Sequence, residues 1–360
     1  MGSPAAAPLM HGVWSAQDTT PSEIDAALRE LLKERHAESA SYVPARVLNL
    51  IVIVDREWRG EIENRLERVG RYHPSRTILC AVEPGRTTLS AQANMTDTSE
   101  SEPGGFVPCR ERVVIEVGPQ HLPHLDSIVD ALVVTDLSTV VWSPHGHPEA
   151  VDALMKLTQV VLLDSLDEPD VHAALRRSAE LAKRAYVVDL AWLRSTPWRE
   201  RIAGTFDPPP MRRELHNLSA VKIRHRPDSA VPGLLLIGWL ASRLGWDCGA
   251  MIAGGDGMRG RARASKRHEV SLELQPAPQQ SVPGLAGLTL ETASGMSLSL
   301  DRGAGGLEAV RKLRDGSELR WSIMGASRGE SGILGEGIRQ ALLRDPTYGP
   351  ALTAAEALVG

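Results

Sequence analysis

The feature that most constrains this chain is a set of short, unbroken apolar runs separated by stretches with helical periodicity. ARVLNLIVIVD (residues 45–55), RTILCAVE (76–83), TVVWS (139–143) and VVLLD (160–164) carry apolar side chains at consecutive positions. A strand buried on both faces needs that pattern, because a half-exposed strand alternates apolar and polar residues. Residues 60–70 place Ile62, Leu66 and Val69 on one helical face, and further helices are expected from Pro148 and near residue 169. Continuous strands alternating with amphipathic helices imply a largely parallel sheet with helices on its faces. The first half of the chain is therefore read as α/β.

Upstream, Thr20, Pro21 and Glu23 form the start signal of a helix over residues 21–36, a capping box with proline at the first position. Ile24, Ala27, Leu28, Leu31 and Leu32 give it an apolar face. TTLSAQANMT and ERVVIEVG read as strands around a polar loop at 97–109, and a short helix is expected near 125–133. After Asp164 the pattern resets. A helix over 169–184 precedes a strand-like AYVVDLAW, and TFDPPPM reads as a turn or linker, because consecutive prolines cannot continue a helix. LSAVKIRH is the next strand and 231–244 an apolar helix. From Lys266 the character is β (RHEVSLEL, LAGLTLETA, MSLSLDR, LRWSIMG), and an amphipathic helix over 332–344 closes the pattern. The expected organisation is an N-terminal segment with a helix (1–42), an α/β domain (43–166) and an α+β domain with a mixed sheet (167–360). At 360 residues the chain exceeds the size of one ordinary core, which agrees with two domains.

Composition excludes several function classes. The net charge of −5 and the absence of a basic stripe argue against nucleic acid or an anionic membrane as partner. The longest apolar stretch, VPGLLLIGWLASRLGW, is interrupted by Arg243 and too short to span a bilayer. The N-terminus lacks the charged and apolar regions of a secretory signal. Three dispersed cysteines, Cys80, Cys109 and Cys248, show no metal spacing and fit a reducing compartment, so a soluble, cytoplasmic protein is expected. Cys80 and Cys248 read as small core residues, and Cys109 as a loop thiol.

No residue pattern specifies catalysis. The string 255–260, GDGMRG, matches Gly-x-Gly-x-x-Gly, but no helical apolar periodicity follows it, and a dinucleotide site needs that helix. Arg259, Arg261, Arg263, Lys266 and Arg267 instead suggest a flexible basic hairpin loop able to meet an anion. A sugar-phosphate- or nucleotide-binding enzyme or sensor using loop 254–263 is the alternative reading. His121, His124, His145 and His147 lack a spaced third ligand, and Asp164 and Asp189 end strands where acids also cap helices. Neither cofactor nor metal is expected.

The strongest signal is aromatic: 8 Trp against 2 Phe and 4 Tyr. DLAWLRSTPWRER (189–201) and GWLASRLGW (238–246) concentrate Trp with Arg, the residues most enriched at binding hot spots. Trp192, Arg194, Thr196, Trp198 and Arg199 in the first segment, and Trp239, Arg243 and Trp246 in the second, are the candidate partner-binding residues. Thr196 is expected to cap a helix, and Trp239, Arg243 and Trp246 to share one helical face. The competing reading makes these tryptophans large core residues with satisfied N–H groups.

These two strings, with ARVLNLIVIVD, HPSRTILCAVE and TVVWSPHG in that order, resemble the glucose-6-phosphate dehydrogenase assembly protein family, OpcA. The resemblance spans residues 43–344. It implies a non-enzymatic protein that binds glucose-6-phosphate dehydrogenase, promotes its active oligomer and raises its activity in the oxidative pentose phosphate pathway. Cyanobacterial relatives of the family are linked to thioredoxin control through cysteines near their C-terminus. No cysteine follows Cys248, so that switch is not expected here, and neither is an appended C-terminal module.

Overall fold

The computed structural model describes residues 12–38, 42–44, 46–70, 74–97, 107–264, 268–303, 305–324 and 329–360. The chain forms two compact units. One comprises Met1–Leu163, Arg184–Val188 and Leu334–Leu342; the other comprises Asp164–Lys183, Asp189–Ile333 and Leu343–Gly360.

The strands of the first sheet are β1 (Val13–Ala16), β2 (Tyr42–Pro44), β3 (Leu48–Asp55), β4 (Ser75–Val82), β5 (Ser90–Asp97), β6 (Val107–Val117), β7 (Thr139–Trp142), β8 (Val160–Leu163) and β9 (Tyr186–Asp189). Their order is β1-β5-β6-β4-β3-β7-β8-β9, with β2 beside β6. From β6 to β8 all pairings are parallel, whereas β5 on β6 and β1 on β5 are antiparallel. Taking the strands β3, β4, β6, β7, β8 and β9 in chain order, they lie as 3-2-1-4-5-6, the doubly wound arrangement of dinucleotide-binding sheets. Its centre is apolar throughout: from Leu50 to Val54 and from Ile78 to Val82 every side chain is buried. Continuous apolar runs encode this sheet because helices cover both of its faces.

The helices of this unit are α1 (Pro21–Glu38), α2 (Arg59–Gly70), α3 (Leu125–Val129) and α4 (Pro148–Leu154). The capping box on α1 is formed: Thr20 N donates to Glu23 at 2.9 Å, and Glu23 N donates to the Thr20 hydroxyl at 3.3 Å. Ile24, Ala27, Leu28 and Leu31 are the buried face. Strand β1 was not legible beforehand, and Cys109 lies on β6 rather than in a loop.

A buried ion cluster braces the middle of this sheet. Glu111 on β6 is sealed from solvent and accepts from Arg46 Nε and Arg76 Nε, both at 2.7 Å. Burial alone would raise its carboxyl pKa, but the guanidinium groups of Arg76 and Arg46 outweigh it and hold the carboxyl below its ordinary value.

In the second unit the helices are α5 (Val171–Ala182), α6 (Leu190–Arg194), α7 (Thr196–Phe206), α8 (Pro209–Leu215), α9 (Ala230–Leu244), α10 (Gly329–Leu343, of which 334–342 belongs to the first unit) and α11 (Tyr348–Val359). The strands are β10 (Leu218–His225), β11 (Asp247–Cys248), β12 (Ile252–Gly254), β13 (Gly257–Arg263), β14 (Glu269–Pro276), β15 (Leu285–Thr292), β16 (Ser297–Gly303), β17 (Gly306–Lys312) and β18 (Glu318–Met324). They run β11-β13-β14-β10-β15-β16-β17-β18, with β12 beside β13, and β10–β14 is the one parallel pair in this order. The expected mixed sheet with helices is therefore present.

The central strands place apolar residues on one face. Val221, Ile223, Leu272, Leu274, Leu288, Leu290, Leu298 and Leu300 face the helical layer, in which α9 lies against β10 and β14. The opposite row carries ion pairs, including Lys222–Glu291 at 2.7 Å, Arg259–Glu273 at 3.0 Å and Lys312–Glu318 at 3.0 Å. A Cβ at Gly238 on α9 would lie 2.2 Å from the Ala351 carbonyl oxygen, so only glycine admits α11 at this distance.

Several local expectations are corrected here. LAW of the strand-like AYVVDLAW is helical, in α6, because Asp189 caps it by accepting from Ala191 N at 2.9 Å. The proline run does not act as a linker: Pro209 and Pro210 open α8, where a missing N–H costs nothing. Strand β17 and helix α11 were missed, so α10 does not close the fold.

Glu111→Ala is expected to lower unfolding stability by about 3–5 kcal/mol, because it leaves two guanidiniums without their buried carboxylate. Urea denaturation of wild type and variant at neutral pH measures this.

Candidate functional site

The first tryptophan segment is interior. Trp192 is 2% exposed and Trp198 1% exposed, which corrects the expectation that both face a partner. Trp192 Nε1 donates to Asp345 Oδ2 at 2.9 Å, so the indole is buried with its polar handle satisfied. The Arg199 guanidinium carbon stands 3.5 Å from the centroid of the same ring, and Arg199 Nη1 lies 3.6 Å from Asp345. Burial pushes the Arg199 pKa down to about 10, which leaves it charged at neutral pH. Arg194, half-buried, binds Asp164 at 2.6 Å. Thr196 is the first residue of α7 rather than its cap; Ser195 precedes it, and the Thr196 hydroxyl accepts from Arg199 Nη2 at 2.9 Å. These five residues hold α6, α7 and the approach to α11 together, and they offer a partner no apolar surface.

Asp189 is the most perturbed acid of this network. It is 1% exposed, and its Oδ1 accepts from Ser165 N at 3.1 Å and Ala191 N at 2.9 Å. Tyr348 Oη donates to Oδ2 at 3.3 Å. Burial, aided by the charge of Asp164, pushes its pKa up from 3.8 to about 6.

The second segment differs. Arg243 on α9 is exposed and forms no ion pair among the described residues, and Trp239 and Trp246 are half-buried. Trp246 is not on the helix, as its spacing suggested. Gly245 takes φ +66° and ends α9, and Trp246 N turns back to donate to Ala241 O at 2.9 Å. The hairpin β12–β13 follows, with Ile252 71% exposed. Its three arginines are committed to carboxylates: Arg259 to Glu273 at 3.0 Å, Arg261 to Glu269 at 2.8 Å, and Arg263 to Asp247. The hairpin is formed as expected, and its arginines are exposed while each meets an acid of a neighbouring segment. Lys266 and Arg267 lie outside the described residues. Of the thiols, Cys80 is buried with its pKa pushed up to about 12, and half-buried Cys248 is raised to about 11 by burial and Asp247.

In the first unit, the doubly wound order puts a topological switch between β3 and β7, where such folds bind ligands. The turn leaving β3 reads Asp55-Arg56-Glu57-Trp58-Arg59-Gly60, without the glycines that let a backbone approach a pyrophosphate. His147 Nε2 meets Asp55 Oδ1 at 3.1 Å, His145 stacks on Trp58 with centroids 5.2 Å apart, and Arg56 pairs with Glu83. His147 adopts φ +55°, rare for a residue with a Cβ. Sequence reasoning noted the histidines but not Asp55 or Trp58, because their meeting depends on the order of the strands. Among the described residues no group of three or more His, Cys, Asp or Glu could hold a metal ion, and no helix is long and apolar enough to cross a membrane.

Comparison with known proteins agrees with this architecture. An oxidoreductase structure from Sinorhizobium meliloti superposes with a TM-score of 0.52, at 11% identity, over 88% of this chain and 97% of that one. Residues 66–180 match the glucose-6-phosphate dehydrogenase subunit N-terminal domain, and residues 185–352 match the corresponding C-terminal domain. The OxPP cycle protein OpcA of Synechococcus elongatus is 25% identical over 199 residues, covering 54% of this chain and 44% of that protein. Its counterpart in Synechocystis sp. is 23% identical over 237 residues, covering 64% and 49%. The chain thus spans about half the length of these curated relatives. Fold and site together define a two-unit α/β protein with a doubly wound N-terminal sheet that lacks the glycine fingerprint. Matched by both of its domains, the chain belongs to the OpcA family of glucose-6-phosphate dehydrogenase assembly proteins.

A pH dependence follows from Asp189. Its raised pKa means that the folded state holds a proton that the unfolded state has released, so stability falls as pH rises from about 4 to about 6 and then levels. The group should cost roughly 3 kcal/mol at pH 7 relative to pH 4. Asp189→Asn keeps the Oδ1 acceptor and should remove that fall. Urea midpoints of both proteins at pH 4.5 and 7 measure the difference; parallel pH profiles would refute the assignment.

Proposed function

We propose that this protein is a non-catalytic assembly factor and activator that binds glucose-6-phosphate dehydrogenase and promotes its active oligomer, in the cytoplasm. The observation that carries this reading is the family match, whose two domains are both described as domains of a glucose-6-phosphate dehydrogenase subunit. The names of the curated relatives, which place them in the OxPP cycle, support it. The turn after β3 carries no Gly-x-Gly-x-x-Gly pattern, which disfavours a redox role for the doubly wound sheet.

The contact surface is drawn around Arg243, with Trp239 and Trp246 beside it. An exposed guanidinium with no ion pair among the described residues, one helical turn from the partly exposed Trp239 and three positions before the partly exposed Trp246, is the hot-spot chemistry that the buried segment cannot offer. The exposed Ile252 adds apolar area from the hairpin that follows Trp246. An activator shifts an oligomer equilibrium only by its differential affinity, and a tenfold shift needs about 1.4 kcal/mol. One well-placed indole supplies that much.

The test mixes the purified chain with dehydrogenase from the same organism, measuring co-elution and the Michaelis constant for glucose 6-phosphate. Complex formation with a lowered constant is expected; no complex and unchanged kinetics would refute the proposal. Arg243→Glu should weaken the complex about tenfold or more with an unchanged melting temperature, since no internal ion pair is lost. In a parallel thermal-shift assay, NADP+ should leave the melting temperature unchanged, whereas a bound nucleotide at a hundred times its dissociation constant would add about 2.7 kcal/mol. Stabilisation together with turnover would favour the enzyme reading.

A further inference from the structure

We propose that a cleft in the N-terminal unit binds a neutral polyhydroxylated ligand of the saccharide or cyclitol class. The cleft encloses about 320 Å3, within the ordinary range for small-ligand sites. Its floor is one face of β1, β5 and β6. Ser15, Gln92 and Val114 lie in register across the three strands, and Ser90 lies opposite Glu116. Arg59, at the start of α2, forms the wall and reaches Glu116 at 3.3 Å.

The opening has a topological cause. Strands β4 and β5 are joined by a turn over 83–89 instead of the crossover helix that a doubly wound sheet uses between parallel strands. Helix α1 lies against β5, and Ala91, Ala93 and Met95 are buried on its side. On the other face Gln92 is exposed and Ser90 half-buried.

The chemistry of the lining selects the ligand class. The Ser15 hydroxyl and the Gln17 and Gln92 amides make no hydrogen bond among the described residues, so both donors and acceptors are available to a guest. Ser90 Oγ accepts from Arg86 Nη1 at 2.9 Å and keeps its own proton to donate. Glu116 is fixed by Arg86 Nη2 at 2.7 Å as well as by Arg59, which also binds Glu63 at 3.1 Å. Among the described residues, Arg59 of the lining and the adjacent Arg86 are both committed to carboxylates, so neither offers a free charge to a phosphate. Hydroxyl groups, which donate and accept at once, match amides, hydroxyls and a held carboxylate.

The experiment uses the full chain without its protein partner, so its outcome does not depend on the assembly role. Saturation-transfer NMR and calorimetry are run with glucose and myo-inositol as probes and glucose 6-phosphate as charged comparator. The proteins compared are wild type, Gln92→Ala and Glu116→Gln, and circular dichroism reports their folding. Saturable binding of an uncharged probe, weakened about fivefold or more in folded Gln92→Ala, is expected. The proposal is overturned by no saturable binding, by equal binding in both variants, or by tighter binding of the phosphorylated comparator.

Discussion

In the interior of the C-terminal unit, a guanidinium lies 3.5 Å above an indole, and one carboxylate, Asp345, takes a hydrogen bond from the indole and the charge of the guanidinium. Three segments meet there: α6 through Trp192, α7 through Arg199, and the turn that leads into α11 through Asp345. A buried arginine is tolerable only when its charge is matched and its donors are occupied. Asp345 and Thr196, together with the ring face, meet that requirement for Arg199. Asp189 repeats the arrangement one step away, capping α6 while bound by the Tyr348 hydroxyl of α11. The helical layer behind the mixed sheet is therefore joined by polar bonds as well as by apolar packing. Gly238, which lets α9 approach the α11 backbone, completes that layer.

In the N-terminal unit the ordering principle is different. A doubly wound sheet concentrates strand ends and helix starts at one rim, and dinucleotide-binding proteins use glycines there to admit a pyrophosphate. Here that rim is occupied by side chains that bind each other: Asp55 with His147, Trp58 with His145, and Arg56 with Glu83. The doubly wound order is present here without the glycine pattern of a dinucleotide-binding turn. Fold alone does not carry function, and family membership rather than architecture points to the dehydrogenase.

Much of the architecture was legible in the sequence. The apolar runs of β3, β4, β7 and β8 announced the doubly buried sheet, and Thr20 with Glu23 announced the start of α1. The β character of the strings in β14, β15, β16 and β18 announced the second sheet. Other elements carried weaker local signals. Helix α11 is rich in alanine because Ala351 and Ala355 lie under Gly238, and small residues give little amphipathic contrast. Pro209 and Pro210 looked like helix breakers because position within a helix, not proline itself, decides its effect.

The candidate surface was half legible. Trp and Arg at two strings marked where dense chemistry would lie, but the same residue types serve hot spots and charged interiors. The sequence by itself determined the strand and helix alphabet, the family, and the lack of a glycine turn after β3, since each is written in contiguous residues. Tertiary structure alone decided that Trp192 and Trp198 are interior while Arg243 is exposed. It also decided that Arg259, Arg261 and Arg263 find carboxylates and that the floor of β1, β5 and β6 stays open. Burial and charge pairing depend on partners as far as 159 positions away, as between Asp189 and Tyr348, and no local pattern encodes such a distance.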